Sequence, residues 1–155
     1  MSNVLSKIES IAEEAGFEGV RQREEENDAD TVLFYDINLG DGRKQRVIVG
    51  HFEERDDGRN VIGFISPCEA IEEGWFSGLS SYEMRSILHM NSQFSAGHFC
   101  IWTTGVGIYP DHTELLAIRS TQLLETMDPA EFELQCGSVA ELADTWEEKI
   151  GQDEF

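Results

Sequence analysis

The sequence predicts an α+β fold, an antiparallel sheet flanked by helices in the order α-βββ-α-ββ-α. Three observations lead there. Apolar residues recur at helical spacing near the N-terminus, in a middle stretch and near the C-terminus. Between these lie runs of β-branched and aromatic residues, the composition of strands. The turns joining the first runs are too short for crossover helices, so those strands must be antiparallel.

Val4, Ile8, Ile11 and Ala15 follow i, i+4, i+7 and i+11, one apolar stripe of a helix, with Glu9, Glu13 and Glu14 turned to solvent. Gly16 stands where a helix ends in a left-handed residue. Thr31–Leu39 and Arg46–Phe52 read as strands joined through Asp41-Gly42, a hairpin signal. Asp56-Asp57-Gly58 turns the chain into a third strand, Val61–Ile65, and a weaker strand over Val20–Glu24 precedes them. The interiors V-L-F-Y and V-I-V are apolar runs rather than alternations, which predicts cover on both sheet faces.

Residues 68–80 read as a loop carrying Gly74, Trp75, Phe76 and Gly78, after which Ser80 or Ser81 caps a helix. Met84, Ile87, Leu88 and Asn91 share one face of that helix, which ends between Ser92 and Gly97. His98–Thr103 and Leu115–Ser120 are strands, with a loop or short strand at Gly105–Pro110. Asp128-Pro129 opens the last helix, Asp as N-cap and Pro in the first turn. Its stripe is Phe132, Val139, Leu142, Ala143, Trp146 and Ile150, and Gly137 inside it is a point for a kink or break.

The 155 residues suit a single domain, 1–155, able to bury roughly 70% of its unfolded surface. The net charge of −20 is spread evenly, −10 on residues 1–80 and −10 on 81–155. Nucleic-acid binding draws its affinity from Lys and Arg, so DNA, RNA and anionic membranes are poor partners. Cys68, Cys100 and Cys136 are odd in number and far apart, which argues against a disulfide framework and for a reducing cytoplasm. The N-terminal residues lack the pattern of a signal peptide, and no apolar run is long enough to span a membrane.

Motifs for catalysis or metal binding are weak. Asp36-Ile-Asn38-Leu-Gly40 resembles the start of a calcium loop but has Asp41 where the loop needs Gly and Val47 where it needs Glu. Gly105-Val-Gly107 runs into Tyr109-Pro110 instead of opening a helix. The histidines are His51, His89, His98 and His112; only His98 and Cys100, two apart on one strand, form a local pair. The sequence thus predicts no catalytic residue, no metal and no cofactor. The richest aromatic region is Trp75-Phe76, Phe94, Phe99 and Trp102. In so acidic a chain, apolar area left open is a protein contact.

The helix that leads through Ile87-Leu88-His89-Met90-Asn91 into Gly97-His98-Phe99-Cys100-Ile101, the strand Leu115–Arg119 and the closing helix from Asp128-Pro129 to Ile150 give the chain a recognisable pattern. It resembles the bacterial YbjN-type family of sensory-transduction regulators and, more distantly, the type III secretion chaperones. The resemblance implies a chaperone-like α+β fold, homodimers, no cofactor and no enzymatic activity. It matches Asn91 to a helix-end Asn, for which a helix-terminating hydrogen bond is the plain explanation.

The reading that follows is a non-enzymatic, cytoplasmic, protein-binding module, chaperone-like or regulatory and dimeric. Trp75, Phe76 and Trp102 are its candidate contacts with a protein or peptide client. The alternatives are a small enzyme or metal-binding domain using His98 and Cys100, and an immunity-type or adaptor protein.

Overall fold

A computed structural model describes residues 2–24, 27–71, 80–104 and 113–153. The described chain forms α1 (Ser2–Glu14), β1 (Val20–Glu24), β2 (Asn27–Gly40), β3 (Arg43–Glu54), β4 (Asn60–Ile71), α2 (Ser81–Asn91), β5 (His98–Thr104), β6 (Thr113–Leu123) and α3 (Pro129–Asp153). The six strands make one antiparallel sheet in the order β1-β2-β3-β4-β6-β5. The α+β class and the placing of its helices agree with the sequence reading, with the weak first strand making four before α2.

Local chemistry sets the boundaries. Gly16 ends α1 at φ 89°, and Phe17 N–H bonds back to the Ala12 carbonyl. Asp41 and Gly42 both have positive φ, 53° and 75°, the twist that a two-residue hairpin between right-twisted strands needs. Ser80 and Glu83 form a reciprocal capping box at the start of α2. Asp128 and Glu131 do the same for α3. α3 runs unbroken through Gly137.

β6 lies antiparallel to both β4 and β5 and sits between them. β4 and β5 therefore run the same way, and α2 is the crossover that such a pair requires. This leaves β1 and β5 as the two edges of the sheet.

Register divides the side chains into two layers. Leu33, Val49 and Phe64 align across β2, β3 and β4 and face the helices, as do Tyr35, Val47, Ile62, Leu116, Ile118 and Phe99. Leu5, Ile8 and Ala12 of α1, Ile87 of α2, and Phe132, Cys136, Val139, Ala143 and Trp146 of α3 close that layer. Phe132 is its centre, with ring centroids 5.3 Å from Tyr35, 5.6 Å from Phe64 and 5.8 Å from Phe17.

Among the described residues all three helices pack on this one face, so the cover expected on the second face is not helical. The other face carries a smaller apolar cluster. Phe34 and Ile48 are buried there, with Val32, Ile65 and Trp102 packed around them and the Arg46 guanidinium 5.2 Å over the Phe34 ring. The apolar runs in the sequence thus have two causes, a helix-covered core and a lesser cluster on the far side.

Candidate functional site

Among the described residues β5 forms an open edge of the sheet and carries one of its exposed apolar side chains, Ile101. Asn91 ends α2 beside this edge. Its Oδ1 accepts the Phe99 N–H at 2.7 Å, and its Nδ2 donates to the Phe99 carbonyl at 3.4 Å. The side-chain amide thus stands in for one residue of a neighbouring strand. The expected helix-terminating bond is made instead by Ser92, whose N–H and hydroxyl both reach the His89 carbonyl.

Because Asn91 approaches from the side away from β6, the Phe99 N–H and C=O point off the sheet. Backbone groups alternate direction along an edge strand, so those of Ile101 and Thr103 point the same way. No hydrogen bond to them from outside the sheet is present among the described residues. The Ile101 side chain is 60% exposed. β5, His98–Thr104, is also the one described strand without Asp, Glu, Lys or Arg.

α2 packs beside β5. Ile87 is buried, Met90 packs on the core and Asn91 clamps Phe99. The inner face is therefore rotated from the expected Met84-Ile87-Leu88-Asn91 stripe. Met84 and Leu88 turn outward, 47% and 70% exposed, and Tyr82 is 80% exposed. The crowding of apolar residues on this short helix concealed which of them face inward.

Of the predicted contact residues, Trp102 is half-buried on the sheet face away from the helices, against the Phe34–Ile48 cluster. It belongs to β5 but faces opposite Ile101. Trp75 and Phe76 lie outside the described residues.

The described histidines do not converge. His51 Nε2 lies 3.0 Å from Asn60 Oδ1 at the β3–β4 turn, and Asn60 is in turn held by Glu125. His89 is on α2, and His112 is outside the described residues. His98 and Cys100 do share a face of β5, as their spacing predicted. Their side-chain neighbour is Arg119 of β6, directly opposite His98, with Nη2 3.4 Å from His98 Nε2. Burial, helped by the Arg119 charge, pushes the His98 imidazole below its ordinary value, so it is neutral at pH 7. Burial pushes the Cys100 thiol up, against a smaller opposite pull from Arg119, which keeps it protonated. Cys136 is raised far more by complete burial. All three cysteines are free thiols. Among the described residues no three His, Cys, Asp or Glu side chains group as metal ligands.

A shallow groove of about 370 Å³ lies between the 93–96 loop and Ser138, Glu141 and Leu142 of α3. Among the described residues Glu141 is its single titratable lining group. No described helix is long and apolar enough to cross a membrane.

Compared with known protein families and curated proteins, the chain matches no family model and no curated protein. The resemblance drawn above therefore rests on the residues quoted for it. Ile101, the reach of Asn91 to β5 and Arg119 do not stand out in the residue pattern as functional positions. One signal for the first was present: H-F-C-I-W-T-T is seven residues without formal charge in a chain that is 27% charged.

Proposed function

We propose that this protein is a non-enzymatic polypeptide-binding module, chaperone-like or regulatory and cytoplasmic, that takes an extended segment of a partner along the free edge of β5. The observation that carries the reading is the outward-facing, uncharged stretch at Ile101. Strand addition at such an edge supplies main-chain hydrogen bonds for affinity, with side-chain pockets for selection. The −20 charge of the whole chain favours a basic partner and speeds its approach at low salt. Three free thiols suit a reducing compartment.

The test uses the full chain and a fluorescent peptide of alternating Val and Lys. Anisotropy is expected to show saturable binding that weakens as salt rises. Amide exchange is expected to slow at Ile101 and Thr103 on binding. Ile101→Pro, which removes one edge donor, is expected to weaken binding about tenfold or more. Binding that leaves the Ile101 and Thr103 amides unprotected, or no binding at all, would sink the reading.

A second copy of the chain is the competing occupant, because two chains of charge −20 can meet closely only where charge is lowest. Salt separates the two occupants. Self-association strengthens with ionic strength as like-charge repulsion is screened, whereas capture of a basic peptide weakens.

A further inference from the structure

The sheet face turned away from the helices holds a second feature, distinct from the β5 edge. Ile48, Ile65, Arg119 and His98 align across β3, β4, β6 and β5. Arg119 is half-buried. Its guanidinium stacks 4.9 Å from the centroid of Phe52, a ring 49% exposed. Among the described residues its Nε is buried without a hydrogen-bond partner, and Nη2 has the His98 ring as its one polar neighbour.

The setting is unusual for this chain. Arg21 pairs with Glu9, Arg43 with Asp144 and Glu148, Arg46 with Asp36, and Arg59 with Asp57. Arg55 and Arg85 are exposed to water. Among the described residues, Arg119 alone of the arginines is withdrawn from solvent with no carboxylate beside it. A half-buried cation left without a counter-charge is costly, and in a chain with 31 acidic residues a partner would be easy to supply.

We infer that Arg119, with His98 and Phe52, forms a binding site for a monocarboxylate that carries an apolar body. The guanidinium fork is shaped to receive a carboxylate in two parallel hydrogen bonds. The His98 ring beside it fixes one side of the fork. Phe52 and Ile65 offer the apolar surface on which the ligand body would rest. A single formal cation with a neutral imidazole balances one negative charge. The field of a −20 chain repels a phosphate dianion more strongly than a monoanion. Free organic acids and the acidic side chain of a partner share this chemistry.

Benzoate, acetate and inorganic phosphate are the probes, titrated into the full chain while the His98 ring and Cys100 amide signals are followed by NMR. Benzoate is expected to bind saturably, more tightly than acetate, which lacks the ring, and more tightly than phosphate. Arg119→Gln is expected to lose about tenfold or more in benzoate affinity, and Arg119→Lys most of that, because the fork is gone while the charge stays. Phe52→Ser, at an exposed ring, is the second variant; it is expected to weaken benzoate while leaving acetate unchanged. A Glu-containing tripeptide competing with benzoate assigns the site to a partner's side chain; failure to compete assigns it to free acids, and both support a carboxylate site. Tighter binding of phosphate overturns the ligand class. Benzoate affinity unchanged in folded Arg119→Gln, or no saturable binding by any probe, overturns the site.

Discussion

The two edges of the sheet are built from opposite materials. β1 is Val-Arg-Gln-Arg-Glu, and its Arg21 is bound by both carboxylate oxygens of Glu9 on α1, at 2.5 and 2.8 Å. β5 has no formal charge, and the nearest helix holds it by one side-chain amide at Phe99. Charged residues on an edge strand discourage pairing with another chain, and their absence invites it. Among the described residues, the contrast is between one end of the sheet guarded by charge and another without it. α3 anchors both ends. Phe132, near its start, packs on Phe17 and Tyr35, which belong to the β1 side. Trp146, four turns on, meets Phe99 of β5 edge-to-face at 5.2 Å.

The most severe way to break the comparison is at its shared core. Phe132→Ala removes a fully buried ring with three aromatic neighbours. A loss of about 3–5 kcal/mol is expected from lost burial and the cavity left behind, read as a lower midpoint in urea. Phe17 and Tyr35 signals should broaden before those of Phe99 if the two ends are held separately.

Gly19→Ala strikes the guarded edge next. A Cβ at Gly19 would come within 2.6 Å of the Tyr35 ring, which is buried and cannot swing aside. Overpacking of this kind costs about 1–3 kcal/mol, to be measured by the same unfolding curves. Burial already holds the Tyr35 phenol far above its ordinary range, so the clash is with a neutral group at any working pH.

Asn91→Ala sharpens the comparison from the open side. It removes both bonds to Phe99, and a stability loss of about 1–2 kcal/mol is expected. It also turns Phe99 into a further outward-facing unpaired residue. Faster amide exchange at Phe99, together with tighter strand addition at β5, is therefore the expected result; an unchanged Phe99 amide would show that Asn91 does not close the edge.

Gly137→Ala tests whether the two anchors of α3 act as one rod. Gly137 stands between Phe132 and Trp146, and a Cβ there meets nothing within 4 Å. The helix is already continuous, so Ala should stabilise the protein by about 0.5–1 kcal/mol through propensity alone. A loss of stability would mean that a bend at Gly137 matters to the packing.

The sequence told most of this architecture and little of its surface. The hairpin at Asp41-Gly42 and the cap at Asp128 depend on a few adjacent residues, and local chemistry dictates them. The stripe of α3 was legible because its buried set repeats over many turns. The face of α2 was not, because Met84, Ile87, Leu88 and Met90 are all apolar and only the position of β5 decides which of them go inside. The uncharged edge and the lone Arg119 share that difficulty. Each is defined by what lies beside it in the sheet, and the order β4-β6-β5 comes from a crossover that periodicity does not reveal. Trp75 and Phe76, chosen for their glycine-bounded loop, fall outside the described residues, and Trp102 faces the opposite side of β5 from Ile101.

The smallest expected effect belongs to the ion pair that guards β1. Arg21 beside Glu9 holds that carboxyl below the ordinary value of 4.5, chiefly through their hydrogen bond. A carboxyl with a lowered folded-state pKa contributes stability above its unfolded value and loses it as pH falls through the folded one. Both side chains are about one-third exposed, so water screens the pair and its worth is a few tenths of a kcal/mol. Glu9→Gln should therefore cost that little at neutral pH. The difference from the parent should shrink from about pH 4.5 downward and vanish where Glu9 is protonated. High salt should shrink it in the same way. A difference that instead grows with acid would mean that Glu9 is stabilised in its neutral form, and the guarded edge would then owe its closure to packing rather than to charge.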